Sequence, residues 1–477
     1  MRSSAHLGPL FRRQFLFSNE SVDDAVPPEF VHLQLPAGHL YHSQDLRVRH
    51  LSDASGHPWC LLGEAVDVLT GTDVGEVLSS TSCEDVGSLF GSLDGRWLLI
   101  GDHQVHGDMQ YLIPVFYAHG SCASTPSLLP SYRAPRPRLD IVDVMDWFPA
   151  PLSGVPGVKR LLPSQVLDVR DFSVASRPLP LAESLTVEDS LAQMRRYLRN
   201  SIAGLTAERV VVPLTAGWDS RLVLAASVDA GVPVQCVTLA HPGMSVADRE
   251  VPPQLADAVG ADHRFILPGR VDRRARRLYD HQVGGHIREM DRRFMYRSQY
   301  AWTREGDVLL RGLSLDITRQ HFHRDVPREQ PELDDLRALL NPTAMQMDGL
   351  RAYEEWLRLD PQPLSFDLRF DLEQGNSAWA AMSGVVLDLT AASALQPGNT
   401  GVYLSAALGL PEEMRTESEH HVRIIEAVHA PLLDFPVNPP EPRWRPRRVR
   451  AAVLRRGTTA RRSVELHRAR CAGASAS

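Results

Sequence analysis

Lysine is almost absent from this chain. Of its 51 basic residues, Lys159 is the one lysine and all the others are arginine. A guanidinium keeps its proton across the physiological range, so a mechanism that needs a titrating ammonium has a single candidate. The same bias would follow from a GC-rich genome. Cysteine is scarce as well: five are scattered at 60, 83, 122, 236 and 471, an odd number with no CxxC spacing. That argues against a disulfide framework and against a thiolate zinc site, and leaves ordinary buried thiols. Long apolar runs are missing. The longest stretch, "AWAAMSGVVLDLTAASAL" at 378–395, contains Asp388 and many small residues, so it is expected to be a buried helix, not a membrane span. The start, "MRSSAHLGPLFRRQFLF", has no continuous apolar core of the secretory kind, and a cytoplasmic location is expected. A net charge of −7 gives no global attraction to nucleic acid or to anionic membrane.

What is present is enough for two domains and a tail. With 477 residues, 43% of them hydrophobic, the chain can bury at least two ordinary cores. Residues 1–180 hold short apolar runs closed by Gly, Pro and Ser, such as "WCLLGEAVDVLTG", "GRWLLIGD", "YLIPVFYAHG" and "QVLDV". Runs of that length predict a β-rich domain. The period then changes. Thr186 and Asp189 have capping-box spacing, and Leu191, Met194, Leu198 and Ile202 follow at helical intervals. Strand-like "RVVVPL", "VPVQCVTLA", "HRFIL" and "DVLLRG" alternate with helical segments ending at Gly231 and Gly260. Such alternation predicts a parallel sheet with helices on its faces, an α/β domain over 181–438. About 335–435 is expected to be helical. From 439 to 477 a proline- and arginine-rich basic tail follows; a solvated terminal helix explains it better than a nucleic-acid-binding arm.

The segment "LTAGWDS" at 214–220 falls where the first parallel strand hands over to a helix, the place where open α/β sheets bind ligands. Free N–H groups and the dipole at a helix start attract phosphate. Gly217 lets the backbone approach, and Thr215 and Ser220 add hydroxyls. Asp219 would repel a phosphate unless a divalent cation stands between them, and Mg²⁺ is usually held by one or two carboxylates plus substrate phosphates. The alternative is that Asp219 or Ser220 merely caps the helix.

Thr215-Ala216-Gly217-Trp218-Asp219-Ser220 resembles the pyrophosphate-binding loop of the asparagine synthetase family, Ser-Gly-Gly-x-Asp-Ser. Further segments resemble that family in order. "SVADREVPPQLADAVGADH" at 245–263 is similar to its Ser-x-x-Asp segment, and "LLRGLSLDITR" at 309–319 to Gly-Glu-Gly-x-Asp-Glu, keeping Gly312 and Asp316. "LQPGNTGVYLSAALGLPEEMR" at 395–415 is similar to a late helical segment. Amino-terminal "LDGRWLLIGD", "IPVFYAHGSCASTPSLL" and "GVPGVKRLLPSQVLDV" look like the family's glutaminase-type domain. The likeness covers about 55–435 and extends to the β-lactam synthetase and lasso-peptide cyclase relatives.

The resemblance implies a β-rich domain like the Ntn hydrolases over 1–180, degenerate in function, followed by an adenine-nucleotide alpha-hydrolase-like (PP-loop) domain with a helical carboxyl-terminal part. It implies ATP and Mg²⁺ as cofactors, a small-molecule or peptide carboxylate and an amine as partners, and a homodimer as an assembly to test. Thr215, Gly217, Asp219 and Ser220 would contact phosphates, Asp219 and Asp316 the metal, and Leu214, Leu239 and Gly312 the adenosine. Arg221 and Arg319 would contact pyrophosphate, or else serve as surface ion-pair partners. Asp316 also suits a strand-end turn, and Trp218 either stacks on substrate or packs in the loop. Departures matter too. Arg2 stands where the family has its ammonia-producing cysteine, Leu313 and Ile317 replace two acids, and no lysine follows residue 159. The expected activity is therefore an amide-forming ligase that does not hydrolyse glutamine through an amino-terminal cysteine. The rival is a degenerate nucleotide-binding or scaffold relative, and tRNA modification is a third, weaker reading. His321/His323 and His420/His421 invite a metal reading, but neither pair has thiolates or a separated third ligand in sequence.

Overall fold

A computed structural model describes residues 11–130, 132, 147–205, 207–241, 244–267, 273–286, 303–319, 347–359 and 364–439. The amino-terminal part consists of two six-stranded antiparallel sheets. Phe15, Phe17, Leu40 and Cys122 of one sheet meet Leu62, Leu98, Ile100 and Val105 of the other in a shared core. The Leu93–Ile100 strand is buried along its whole length. Its alternate residues Trp97 and Leu99 join a second cluster under the Val74–Ser79 helix, the two-residue period expected of a strand covered on both faces.

The remaining sheet has five parallel strands in the spatial order Asp262–Ile266, Val234–Leu239, Arg209–Pro213, Asp307–Leu310, Ser393–Leu395. The mixed α/β architecture, antiparallel then parallel with a helical end, is the one the sequence pattern predicts. Val210, Val212, Cys236, Val308 and Leu310 face a core shared with the helices Val187–Ala203, Trp218–Asp229, Val246–Ala258, Gly401–Leu408 and Glu419–His429. Val211, Val237 and Leu309 face the other way, onto Leu387 of the Ala381–Leu387 helix. Apolar residues on both faces explain why these strands read as continuous hydrophobic runs.

One expectation needs correction. The 378–395 stretch is not helical throughout: π-wound Asp371–Ala380 leads into the α-helix Ala381–Leu387, the helix stops, and Ser393–Leu395 becomes the edge strand. Two side chains explain the stop. Thr390 Oγ1 donates to the Leu387 carbonyl, and the Asp388 carboxylate is gripped by both terminal nitrogens of Arg96 at 2.6 and 2.7 Å. This buried pair ties the antiparallel part to the parallel part. Among the described residues no helix is long and apolar enough to cross a membrane.

Candidate functional site

From its central strand, Arg209–Pro213, the parallel sheet grows first toward Asp262–Ile266 and then, on the other side, toward Ser393–Leu395. The reversal opens a crevice at the carboxyl ends of Arg209–Pro213 and Asp307–Leu310, where such sheets place ligands. Both candidate loops start there. The first closes on itself: the Thr215 N–H donates to Ser220 Oγ at 3.1 Å, the two hydroxyls lie 3.0 Å apart, and the Gly217 N–H donates to Thr215 Oγ1 at 3.2 Å. Asp248 accepts from the Ala216 N–H at 2.9 Å while completing a capping box with Ser245, so the Ser-x-x-Asp segment braces the loop. Gly217 caps the Trp218–Asp229 helix without a side-chain bond, which leaves its first turn open to an anion.

The second loop winds into a 3-10 helix, Leu313–Arg319. In that geometry residues three apart eclipse, so Asp316 and Arg319 share a face. Ile317, in place of an expected acid, points instead into a core with Met109, Leu368, Leu372 and Leu404. Arg319 Nη1 lies 3.0 Å from Asp219 Oδ2 and 3.3 Å from Asp316 Oδ1. The two aspartates expected to share a cation thus converge on one guanidinium. Gly312 makes the approach feasible, for a Cβ there would fall 2.8 to 2.9 Å from the backbone carbon, oxygen and Cβ of Asp219.

A third element completes the crevice. Ser418, at φ 64°, precedes the Glu419–His429 helix and bonds Arg319 Nε at 2.9 Å. His420 is held by Thr318 Oγ1 at 3.0 Å and the Met414 carbonyl at 3.2 Å. His421 is fully buried, with Nε2 3.8 Å from Asp219 Oδ1 and no hydrogen-bond partner on either nitrogen. Burial pushes the Asp219 carboxyl up to about 6, with Arg319 pulling it down and Asp316 pushing it further up. Burial, helped by His420 and Arg319, keeps His421 neutral by holding its pKa well below the usual imidazole value. The sequence noted the histidine pair but not its neighbours. A signal existed, since His420 and His421 fill the buried positions of a helix whose next inward pair is Ile424 and Ile425.

The other candidates are distributed around this centre. Leu214 is buried and tied to the adjacent strand through Val237 and Thr238. Leu239 ends its strand at the margin of the Val237 cluster. Arg221, expected on pyrophosphate or in a surface ion pair, is instead fully buried, and its guanidinium donates to the carbonyls of Leu432, Phe435 and Pro436 at 2.8 to 3.0 Å. Trp218 packs beside it, 5.3 Å from the guanidinium. Lys159 lies elsewhere, on Glu355 at 2.9 Å, so no lysine serves this crevice. His321 and His323 lie outside the described residues, as does nearly all of the basic tail. A groove of about 690 Å³ lined by Arg195, Arg199 and Arg423 sits at Asp229, the opposite end of the Trp218–Asp229 helix, about 15 Å from Asp219 by helix rise.

The donor set suits a divalent cation. Two carboxylates from different loops already share one positive group, and oxygen ligands of this kind hold Mg²⁺ when substrate phosphates complete the shell. Comparison with known proteins adds little. No family model and no curated protein matches the chain. Among solved structures it is similar to NMN synthetase from Francisella tularensis at 12% identity, over 55% of this chain and 100% of that one, with a TM-score of 0.21.

Proposed function

We propose that the chain is an ATP-dependent, AMP-forming ligase of the asparagine-synthetase type. A carboxylate oxygen attacks the α-phosphorus of ATP, pyrophosphate leaves, and the nitrogen of an amine then displaces AMP from the acyl carbon and loses a proton to give an amide. In this reading Thr215, Gly217 and Ser220 with the helix start receive the phosphates, and Leu214, Leu239 and Gly312 border the adenosine. Asp219 and Asp316 hold Mg²⁺, which would neutralise the triphosphate and polarise its oxygens. Arg319, freed from the carboxylates, offsets charge on departing pyrophosphate.

The observation that carries this reading is the convergence of Asp219 and Asp316, from the ends of two neighbouring parallel strands, on one cationic group at the sheet's reversal point. The described cysteines give no support to thiol-dependent glutamine hydrolysis: burial pushes Cys60 and Cys236 up to about 12 and Cys122 higher still, and burial with the Asp53 carboxylate raises half-exposed Cys83. A second reading, a nucleotide-binding or scaffold relative without turnover, draws on the guanidinium seated between the aspartates and on the placement of the one lysine, Lys159, away from the crevice. ATP–pyrophosphate exchange against a panel of carboxylic acids separates the two. The ligase should show Mg²⁺-dependent exchange with at least one acid, lost in Asp219→Ala. Nucleotide binding without exchange for any acid would leave the scaffold.

A further inference from the structure

Away from the crevice, in the antiparallel part, three side chains of different chemistry meet. The hairpin turn between the paired strands Val48–Ser52 and Pro58–Asp67 carries Asp53 and His57, and the chain leaving the Val74–Ser79 helix brings Cys83 against them. A bond from the Ala54 N–H to the Thr81 carbonyl at 2.9 Å holds the two segments together. One carboxylate oxygen of Asp53, one ring nitrogen of His57 and the Cys83 sulfur all lie within 4.8 Å of one another, and His57 Nδ1 stands 3.3 Å from Asp53 Oδ2. Zinc holds sulfur at about 2.3 Å and nitrogen or oxygen at about 2.0–2.2 Å, so its tetrahedral ligand atoms stand roughly 3.3 to 3.6 Å apart. The Asp53–His57 edge already has that length. The Asp53 carboxylate is fully buried at the base, whereas His57 and Cys83 are partly exposed at the rim, where rotation about χ1 can bring them inward. Neutral donors orient the carboxylate: the N–H groups of Ser55 and His57 on Oδ1 at 2.8 and 3.0 Å, and Trp59 Nε1 on Oδ2 at 3.2 Å. Outer bonds of this kind are the usual support of a metal-ligating carboxylate. The charges acting on Cys83 are those of Asp53, Asp102 and Glu84, all negative, and Asp102 Oδ1 is buried without a hydrogen-bond partner. A cation at this point would offset that charge.

We propose that Asp53, His57 and Cys83 form a zinc site, with water in the fourth position, and that the ion pins the hairpin turn to the chain leaving the Val74–Ser79 helix. Sulfur, nitrogen and a carboxylate oxygen are the donors Zn²⁺ takes, whereas Mg²⁺ keeps to oxygen. On binding, the Cys83 thiol gives its proton to solvent, the neutral His57 ring lends a nitrogen lone pair, and the ion sheds the waters that these groups replace. Cys83 is free for this role because, unlike Cys60, Cys122 and Cys236, it is not buried. The ion sits apart from the crevice and takes no part in the ligase chemistry.

Co²⁺ titration of the full chain, first stripped with a chelator, tests this, because cobalt enters zinc sites and reports its ligands in its absorption spectrum. Wild type should take up one equivalent with a thiolate-to-cobalt charge-transfer band, which Zn²⁺ removes and Mg²⁺ at about hundredfold excess does not. Cys83→Ser should abolish the band, and His57→Ala should weaken Co²⁺ binding by roughly tenfold or more. Should either variant fail to fold, alkylation of wild-type Cys83 by iodoacetamide, located by mass analysis, decides: Zn²⁺ should slow it by roughly tenfold or more. The absence of a charge-transfer band in wild type would overturn the site. So would a band that persists in Cys83→Ser, or alkylation at one rate with and without Zn²⁺.

Discussion

Gly312 is the residue on which the two candidate loops close. A methyl group there would meet backbone atoms of Asp219 at under 3 Å, and backbone, unlike the tip of a long side chain, cannot swing aside. Gly312→Ala should push the loops apart, cost about 1–3 kcal/mol of stability, and, on the ligase reading, weaken nucleotide binding by about tenfold as Asp219 and Asp316 separate. Gly91→Ala is the control, since a Cβ at Gly91 meets nothing within 4 Å. Nucleotide titration and denaturant unfolding of both variants check this; equal behaviour would refute it. Asp219 stood out in the sequence as an acid beside a glycine at a strand-to-helix turn, whereas Gly312 and Asp316 stood out through the resemblance of 309–319 to Gly-Glu-Gly-x-Asp-Glu. The contact of Asp219 with Arg319, 100 residues on, and with His421 was not legible, because chain separation carries no periodic signal.

The Trp218–Asp229 helix shows the same divide among elements. Residues 220–227 are all buried, so the helix lies between the sheet and other helices, and its nearly continuous apolar character was visible in "RLVLAASV". The use of its arginine was not. Arg221 was expected at a ligand because it follows the loop, but three carbonyls of the Leu432–Pro436 segment surround the guanidinium, and burial lowers it to about 10. Arg221→Met should therefore act as a loss of a staple and not of a ligand contact. It should cost about 3 kcal/mol and expose the chain near 430–439 to protease, with nucleotide affinity changed less than in Gly312→Ala. Limited proteolysis with mass analysis of the fragments reads this directly. The Ser393–Leu395 strand was illegible for another reason: three residues with one bulky side chain have no period, and pairing with Asp307–Leu310 alone makes them a strand.

Across the whole molecule, the antiparallel and parallel parts are locked by buried polar groups. Besides the Arg96–Asp388 pair, Asp94 accepts from the N–H groups of Gly398 and Asn399 at 2.8 and 3.1 Å, so two segments read separately in the sequence, 93–102 and 395–415, meet in the fold. Such burial makes the molecule sensitive to acid. Burial lowers His106 to about 3, and His286 and His420 to about 4. A histidine whose folded pKa lies below its unfolded value near 6.5 binds fewer protons when folded. Its contribution is therefore present above 6.5 and is lost as pH falls. Between pH 7.5 and 5.5 each of the three withdraws part of that contribution, as does His263, which burial also lowers to about 4. Asp94 and Asp219 work the other way, because burial raises both to about 6: the folded state binds the extra proton, and stability rises as pH falls through that value. The histidines win. Urea unfolding should show a net loss of stability between pH 7.5 and 5.5, because the lowered histidines outnumber the raised aspartates. A curve that is level or rising toward pH 5.5 would mean that these imidazoles are already protonated, or solvated, in the folded protein.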